Sequence, residues 1–246
     1  MTDTSLTSPG TLYGLGIGPG DPELLTLKAL RYLQSAPVVA FPAGQANQIG
    51  VAQRAIAQWL SPQQVQLPLQ FPYVQDQAAL QSAWQQAANQ VWQYLKQGQD
   101  VVFASEGDIS FYSTFTYLAQ TLHQRHPQSQ IRAVPGVCSP LAAAAVLSIP
   151  LTIGSQRLAV LPALYSTDQI EEVLAWADVV VLMKVSSVYA EVWPILQRHQ
   201  LLERSFIVEN ATRSDQVIYA GLSQHQNLKL PYFSLLIVQV DQAKTL

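Results

Sequence analysis

The chain has 246 residues, enough for one or two domains at roughly 100–200 residues each, and 49% of them are hydrophobic, which supplies a sizeable core and excludes a disordered chain. Thirteen Lys plus Arg against sixteen Asp plus Glu give a net charge of −3, which excludes nucleic-acid binding through bulk positive charge. Charged residues are only 12%, about half the usual quarter; 31 Gln carry much of the remaining polarity, many of them between Gln45 and Gln99.

Residues 11–16 read as a strand that ends in the glycine-rich turn Gly14-Leu15-Gly16-Ile17-Gly18-Pro19-Gly20. Asp21 is expected to cap a helix with Pro22 at its first position, and the apolar spacing over 24–33 is helical. A strand is expected at 38–41, stopped by Pro42. A helix follows at 49–60, a strand at 65–69, a Gln- and Ala-rich helix at 76–97 closed by Gly98, and a buried strand at 101–104. The loop Ser105-Glu106-Gly107-Asp108 leads to a helix at 111–126, a strand at 131–134, the turn Pro135-Gly136 and an Ala-rich helix at 140–147. Strand, tight turn and helix in repetition predict an α/β layer fold with parallel strands. The second half predicts a strand at 158–161, a helix at 167–176, an apolar strand at 179–183 and a helix at 191–200 kinked or restarted at Pro194. Strands at 206–209, 217–222 and 233–240, with little helix between them, predict antiparallel pairing. The cluster of His, Pro, Gln and Ser at 126–129 sets the expected boundary between an N-terminal α/β domain, 1–127, and a C-terminal α/β domain with a mixed sheet, 128–246.

Three strand-to-helix turns carry candidate chemistry, because ligands of open α/β sheets lie at the carboxyl ends of the strands. In the first, a dinucleotide fingerprint needs a third glycine where Pro19 or Asp21 stands, and a phosphate-binding loop needs Gly-Lys-Ser/Thr, which is absent. The G-x-G-x-G turn of ordinary Rossmann-type methyltransferases fits Gly14, Gly16 and Gly18, but Leu12 stands where that family has an acid, and a plain tight turn remains open. In the second, Gly107 permits close backbone approach, while Glu106 and Asp108 either cap the following helix or bind a cationic or hydroxyl-bearing ligand. In the third, Ser139 is expected to cap the next helix; Cys138 as a nucleophile lacks a neighbouring histidine. His123, His126, His199 and His225 show no metal spacing, so no protein-bound metal is expected. Cys138 is the single cysteine, which fits a reducing cytoplasm. No apolar run approaches the roughly 20 residues of a membrane helix, and residues 1–10 lack the apolar core of a signal peptide. A soluble, cytoplasmic protein without a membrane or nucleic-acid partner is therefore expected.

Taken in order, Gly16-Ile17-Gly18-Pro19-Gly20-Asp21, Glu106-Gly107-Asp108 with Tyr112-Ser113, Val134-Pro135-Gly136, Val181-Leu182-Met183-Lys184 and Val208-Glu209-Asn210-Ala211-Thr212 resemble the tetrapyrrole methylase family of S-adenosylmethionine-dependent enzymes over roughly residues 10–240. Gly10-Thr11-Leu12-Tyr13-Gly14 running into residues 21–29, Ser110-Phe111-Tyr112-Ser113-Thr114-Phe115 and residues 157–163 are most similar to the branch that methylates precorrin-2 in the cobalamin pathway. The resemblance implies two α/β domains with S-adenosyl-L-methionine in the cleft between them, and a homodimer. It also implies that Pro19 borders the donor, that Glu106, Gly107 and Asp108 embrace its methionine end with Phe111 close by, and that Cys138 and Ser139 lie beside it. Leu182 and Met183 would flank the adenine, with backbone near Ala211 and Ser234 completing that pocket. Ile109, where many relatives have Pro, and Ala211, where several have Gly, depart from the pattern, as does Cys138-Ser139-Pro140 in place of a Ser/Thr-Ser/Ala pairing. A reduced tetrapyrrole is an electron-rich carbon nucleophile bearing carboxylates. Positioning and water exclusion should therefore dominate catalysis, with Glu106 or Glu209 as candidate bases for the departing proton and Lys184 and Arg213 as candidate carboxylate contacts. Two other readings stay open: another acceptor within the family, including a diphthamide precursor, and a non-catalytic protein that senses the methyl donor.

Overall fold

The computed structural model describes residues 8–44, 48–72, 74, 76–162 and 168–240. By internal contacts the chain divides into two units, Met1–Cys138 and Ser139–Leu246.

In the first unit, β1 (Thr11–Gly16), β2 (Val38–Pro42), β3 (Val65–Leu69), β4 (Val101–Ser105) and β5 (Gln130–Val134) form one sheet in the order β3-β2-β4-β1-β5. Every pair is parallel, as the repeated strand–turn–helix pattern requires. β2 and β4 are apolar on both faces because helices cover both. On one side α1 (Leu27–Ser35) and α2 (Val51–Ile56) pack on Leu15, Val39, Phe41 and Val102; on the other, α3 (Gln77–Leu95) and α4 (Phe115–Arg125) pack on Leu12, Val38, Val101 and Phe103. The expected boundary at 127/128 precedes β5. β5 completes the first sheet by pairing with β1 from Thr11↔Gln130 to Leu15↔Val134, so the division falls after Cys138 instead.

Local chemistry explains where several helices begin. Asp21 Oδ1 accepts the Glu23 N–H at 2.8 Å, but it caps only a single 3-10 turn, Pro22–Leu24. Thr26 then caps α1, its hydroxyl accepting from Ala29 N–H. Asp76, expected as the first residue of the helix, is instead the cap of α3, its side chain accepting from Ala78 N–H. The helix expected from 111 starts at Phe115, because residues 108–113 are held in a turn of their own.

In the second unit, β6 (Leu158–Leu161), β7 (Val179–Met183), β8 (Ser205–Glu209), β9 (Val217–Ala220) and β10 (Ser234–Gln239) form a sheet in the order β6-β7-β10-β8-β9. Only β6–β7 is parallel; β10 runs antiparallel to both β7 and β8, and β9 antiparallel to β8, which matches the mixed sheet expected. α5 (Ser139–Val146) packs on one face, whereas α6 (Asp168–Leu174) and α7 (Tyr189–Arg198) cover the other. Ser139 is the first residue of α5 rather than its cap. α7 continues through Pro194, so of the kink or restart expected there the restart does not occur; the carbonyl that Pro194 cannot bond belongs to the first turn. Thr167, the expected start of α6, and Ala163 lie outside the described residues.

Candidate functional site

The sheet order β4-β1-β5 makes the three glycine turns neighbours at one end of the first sheet. The turn after β1 and the turn after β4 are joined by a two-way backbone bridge: Gly107 N–H donates to Gly18 O at 2.7 Å, and Gly18 N–H to Gly107 O at 3.2 Å. A Cβ on Gly16 would lie 2.6 Å from Gly136 N and 2.8 Å from Gly107 O, and one on Gly136 would lie 2.5 Å from Gly107 O. Backbone therefore packs on backbone here, and only glycine permits it. Gly107 itself differs: its φ is +72° and a Cβ there would meet nothing within 4 Å. Pro19 is half-buried between Gly18 and Gly20, both at positive φ. Gly14 lies inside β1, not in the turn; its missing side chain leaves room for the Phe115 ring, whose Cζ would be 2.5 Å from a Cβ.

The acids of the second turn have structural partners. Asp108 Oδ1 accepts from the Ser110 backbone N–H at 2.8 Å and from the Ser110 hydroxyl, and Oδ2 accepts from Gly136 N–H at 2.8 Å. Burial pushes this carboxyl up, but hydrogen bonds from the Ser110 side chain, Gly136 and Ser110 backbone outweigh it and hold it below the ordinary carboxylate value. Asp108 thus ties the second turn to the third and does not cap α4. Glu106 does not cap α4 either: its Oε1 accepts the Ala52 N–H at 3.0 Å in the first turn of α2, contributed from 54 residues away. The end of β4 is pinned by the buried Ser105–Ser113 hydroxyl pair at 3.1 Å. Phe111 is half-buried with its ring 4.8 Å from that of the exposed Tyr112, which has φ +50°. Ile109 is 2% exposed and anchors the loop in the core. Cys138 is a half-buried free thiol at the last position of the unit.

At one end of the second sheet the carboxyl ends of β7 and β8 flank the start of β10, with Leu235 opposite Met183 and Ser234 opposite Glu209. The structure brings Met183 and Ala211 into one apolar cluster with Leu235, whereas the Leu182 side chain is buried on the opposite face. Strand alternation thus turns the Leu182 and Met183 side chains to opposite faces of the sheet. Ser234 is buried and its hydroxyl donates to Pro231 O at 2.7 Å. Between Glu209 and Arg213, Asn210 (φ +48°) donates its N–H to Phe233 O at 2.8 Å. Thr212 (φ +69°) donates its own to Gln216 Oε1 at 2.6 Å. A β-branched residue in the left-handed region is strained, and the buried Thr212 hydroxyl has no hydrogen-bond partner. Glu209 is 9% exposed; burial pushes its carboxyl up, partly offset by a hydrogen bond with Tyr219.

Lys184 follows β7 at φ +56°, its Nζ 5.2 Å from the centre of the Tyr232 ring. Arg213 reaches Asp215 through Nε at 3.1 Å and through a terminal nitrogen at 3.2 Å, and lies 5.9 Å from the Phe233 ring centre. Tyr232 and Phe233 were not singled out from the sequence; two aromatics directly before an apolar strand are the signal that marks them. Among the described residues no group of three or more His, Cys, Asp or Glu gathers as a metal-ligand set.

The model of the tetrapyrrole (corrin/porphyrin) methylases matches residues 11–225. The chain is 32% identical to the cobalamin biosynthesis protein CobIJ of Mycobacterium bovis over 98% of its own length and 48% of that protein's, so it spans about half of that relative. It is 31% identical to the cobalt-precorrin-2 C(20)-methyltransferase of Salmonella typhimurium, covering 93% of this chain and 96% of that one. It is also 31% identical to the precorrin-2 C(20)-methyltransferase of a Sinorhizobium species, covering 93% and 95%. Among solved structures, a cobalt precorrin-4 methyltransferase superposes with a TM-score of 0.72 at 22% identity, covering 94% of this chain and 96% of that one. The uroporphyrin-III C-methyl transferase of Thermus thermophilus, complexed with S-adenosyl homocysteine, gives 0.66 at 23%, covering 94% and 98%. With the three adjoining turns of the first sheet and the strand ends of the second, this match over residues 11–225 establishes that the chain belongs to the tetrapyrrole (corrin/porphyrin) methylase family.

Proposed function

We propose that this protein transfers a methyl group from S-adenosyl-L-methionine to C20 of precorrin-2 or cobalt-precorrin-2 in cobalamin synthesis. The observation that carries the reading is its near end-to-end match to two enzymes named for that reaction, over 96% and 95% of their lengths. The donor supplies a strongly electrophilic methyl on sulfonium sulfur. Two features of the chain fit such a ligand: the open space beside Gly107, which a Cβ would fill, and the buried, unpartnered hydroxyl of Thr212. In this reading the turn backbones at Pro19 and at Gly107, with Phe111, hold the amino-acid end. Met183, Ala211 and Ser234 hold the adenine, Leu182 contributing backbone. Cys138 and Ser139 border the donor.

The chain's own contribution is position. Glu106 fixes the start of α2, and Asp108 fixes the turn at Gly136, so both act by holding the strand-end loops rigid. Methylation of the ring carbon also requires loss of its proton; Glu209, buried and with its carboxyl raised, is the candidate acceptor on the second unit, and Glu106 on the first. We further propose a cytoplasmic homodimer; no helix among the described residues is long and apolar enough to cross a membrane.

The test is turnover of isotopically labelled donor with metal-free and cobalt-containing precorrin-2 in parallel, the methylated carbon being located by NMR. Methyl incorporation at C20 is the expected result. Incorporation at another ring carbon, or only into uroporphyrinogen III, assigns a different acceptor. Donor binding without transfer to any tetrapyrrole refutes the catalytic reading.

A further inference from the structure

The first unit segregates positive charge beside the glycine turns. Residues 24–75 hold Lys28, Arg31 and Arg54 and no Asp or Glu, in a chain whose net charge is −3. All three side chains are exposed, and among the described residues none of them is in an ion pair, whereas Arg157, Arg198 and Arg213 each have a carboxylate partner. Arg31 lies 5.6 Å from the Tyr32 ring centre, and Arg54 donates to Ile49 O at 3.2 Å. Of the acids that border this stretch, Asp21 and Glu106 accept the backbone N–H groups of Glu23 and Ala52, and Glu23 stands on the turn before α1. Two aliphatic side chains accompany the cations: Leu27 is 86% exposed and Ile49 61%, the highest values of any large apolar residue described. On α1, Arg31 is four residues from Leu27 and three from Lys28, so the three share one face.

These residues lie where an acceptor has to arrive. α1 leads back into β2 and α2 into β3, so both helices start at the carboxyl end of the first sheet. α1 follows the turn at Gly18–Gly20, and the bond from Ala52 N–H to Glu106 ties the start of α2 to the loop that carries Gly107. Resting on the tetrapyrrole-methylating reading above, we propose that the starts of α1 and α2 form a docking shelf for the acceptor beside the donor turns. Leu27 and Ile49 lie against an apolar part of the macrocycle, and Lys28, Arg31 and Arg54 meet its peripheral carboxylates. Charge complementarity selects this occupant. A second copy of the chain in a two-fold contact would set the same three cations against one another, whereas an apolar ring edged with carboxylates satisfies both kinds of side chain. Each ion pair at so exposed a surface is weak, so the shelf works by number.

The test compares the wild-type protein with Lys28→Gln, Arg31→Gln and Arg54→Gln, singly and combined, with the charge-keeping pair Lys28→Arg and Arg31→Lys, and with Leu27→Gln. The readouts are KM for precorrin-2 at low and high salt, affinity for S-adenosylhomocysteine by calorimetry, sedimentation, and thermal melting to confirm folding. Each single charge removal should raise the acceptor KM about two- to fivefold, and the triple variant at least about tenfold. Salt should raise the wild-type KM and change that of the triple variant much less. The charge-keeping variants should stay within about twofold of the wild type, and Leu27→Gln should raise KM roughly two- to tenfold. Affinity for S-adenosylhomocysteine should hold within about twofold throughout. Should the triple variant not fold, Lys28→Gln combined with Arg31→Gln, which keeps the Arg54 bond to Ile49, carries the same directions of change. Unchanged KM and unchanged salt dependence in the folded variants overturn the shelf. A parallel fall in S-adenosylhomocysteine affinity also overturns it, because the patch would then serve the donor, and so does a change in sedimentation, which gives the face to a second copy. A wild-type protein that binds S-adenosylhomocysteine but methylates neither form of precorrin-2 overturns the reaction itself, a result distinct from these.

Discussion

Replacing Gly107 by alanine separates the two things that this glycine does. A Cβ there meets no atom of the chain within 4 Å, so the substitution causes no clash. The φ of +72° nevertheless lies where an L side chain costs roughly 1–2 kcal/mol. For a chain of 246 residues, where 1 kcal/mol moves the melting temperature by about 2–4 °C, that predicts a fall of about 2–8 °C with the fold retained. The open space is the volume assigned to the methionine end of the donor. If the ligand lies against this backbone, a methyl group at van der Waals distance displaces it, and S-adenosylhomocysteine affinity should fall by at least tenfold, about 1.4 kcal/mol. Gly107→Val should abolish detectable binding and lower stability further, since a β-branched residue tolerates positive φ still less well. Calorimetric titration of folded protein, checked by circular dichroism, reads both quantities. Native affinity in folded Gly107→Val would show that the donor does not touch this turn, and would refute the placement of the amino-acid end.

Gly16→Ala should behave in the opposite way: its Cβ would fall 2.6 Å from Gly136 N, so overpacking of roughly 1–3 kcal/mol or more should appear as lost thermal stability or soluble yield whatever ligand is added. Asp108→Asn should cost roughly 1.5–3 kcal/mol at neutral pH by weakening charge-assisted bonds from Ser110 and Gly136. Because the folded carboxyl sits below 3.8, the wild-type contribution is fully present above that value and fades only as pH drops through the folded pKa; urea melts of the variant should lack this acid limb. Glu209 has the opposite sign: its folded pKa lies above 4.5, so ionisation at higher pH opposes folding, and Glu209→Gln should gain stability over the wild type as pH rises from 4.5 through the folded pKa. A stability difference that does not change with pH would show that Glu209 is not desolvated.

Local chemistry made much of the architecture legible in the sequence. The alternation of β-branched runs with helical spacing marked the parallel first sheet. The run of strands after α7 without crossover helices marked the antiparallel pairing of β8, β9 and β10, and Asp21 was legible as a cap because a cap reaches N–H groups only two or three residues away. The three turns were visible as glycine motifs, but their adjacency was not: it depends on β1 lying between β4 and β5, a choice made by pairing across some 90 to 120 residues. The same non-local choice carried β5 into the first unit, past the boundary expected at 127/128. It also gave Glu106 a partner at Ala52 and Asp108 one at Gly136, replacing the capping of α4 that spacing suggested. Gly14 shows the limit most plainly. Its spacing placed it in a ligand turn, whereas the ring of Phe115 from α4 across the sheet decides why no side chain stands there. Motif and periodicity report what a residue can do with its chain neighbours; which backbone or ring comes to lie against it is settled only when sheet order and helix packing minimise exposed apolar surface over the whole unit.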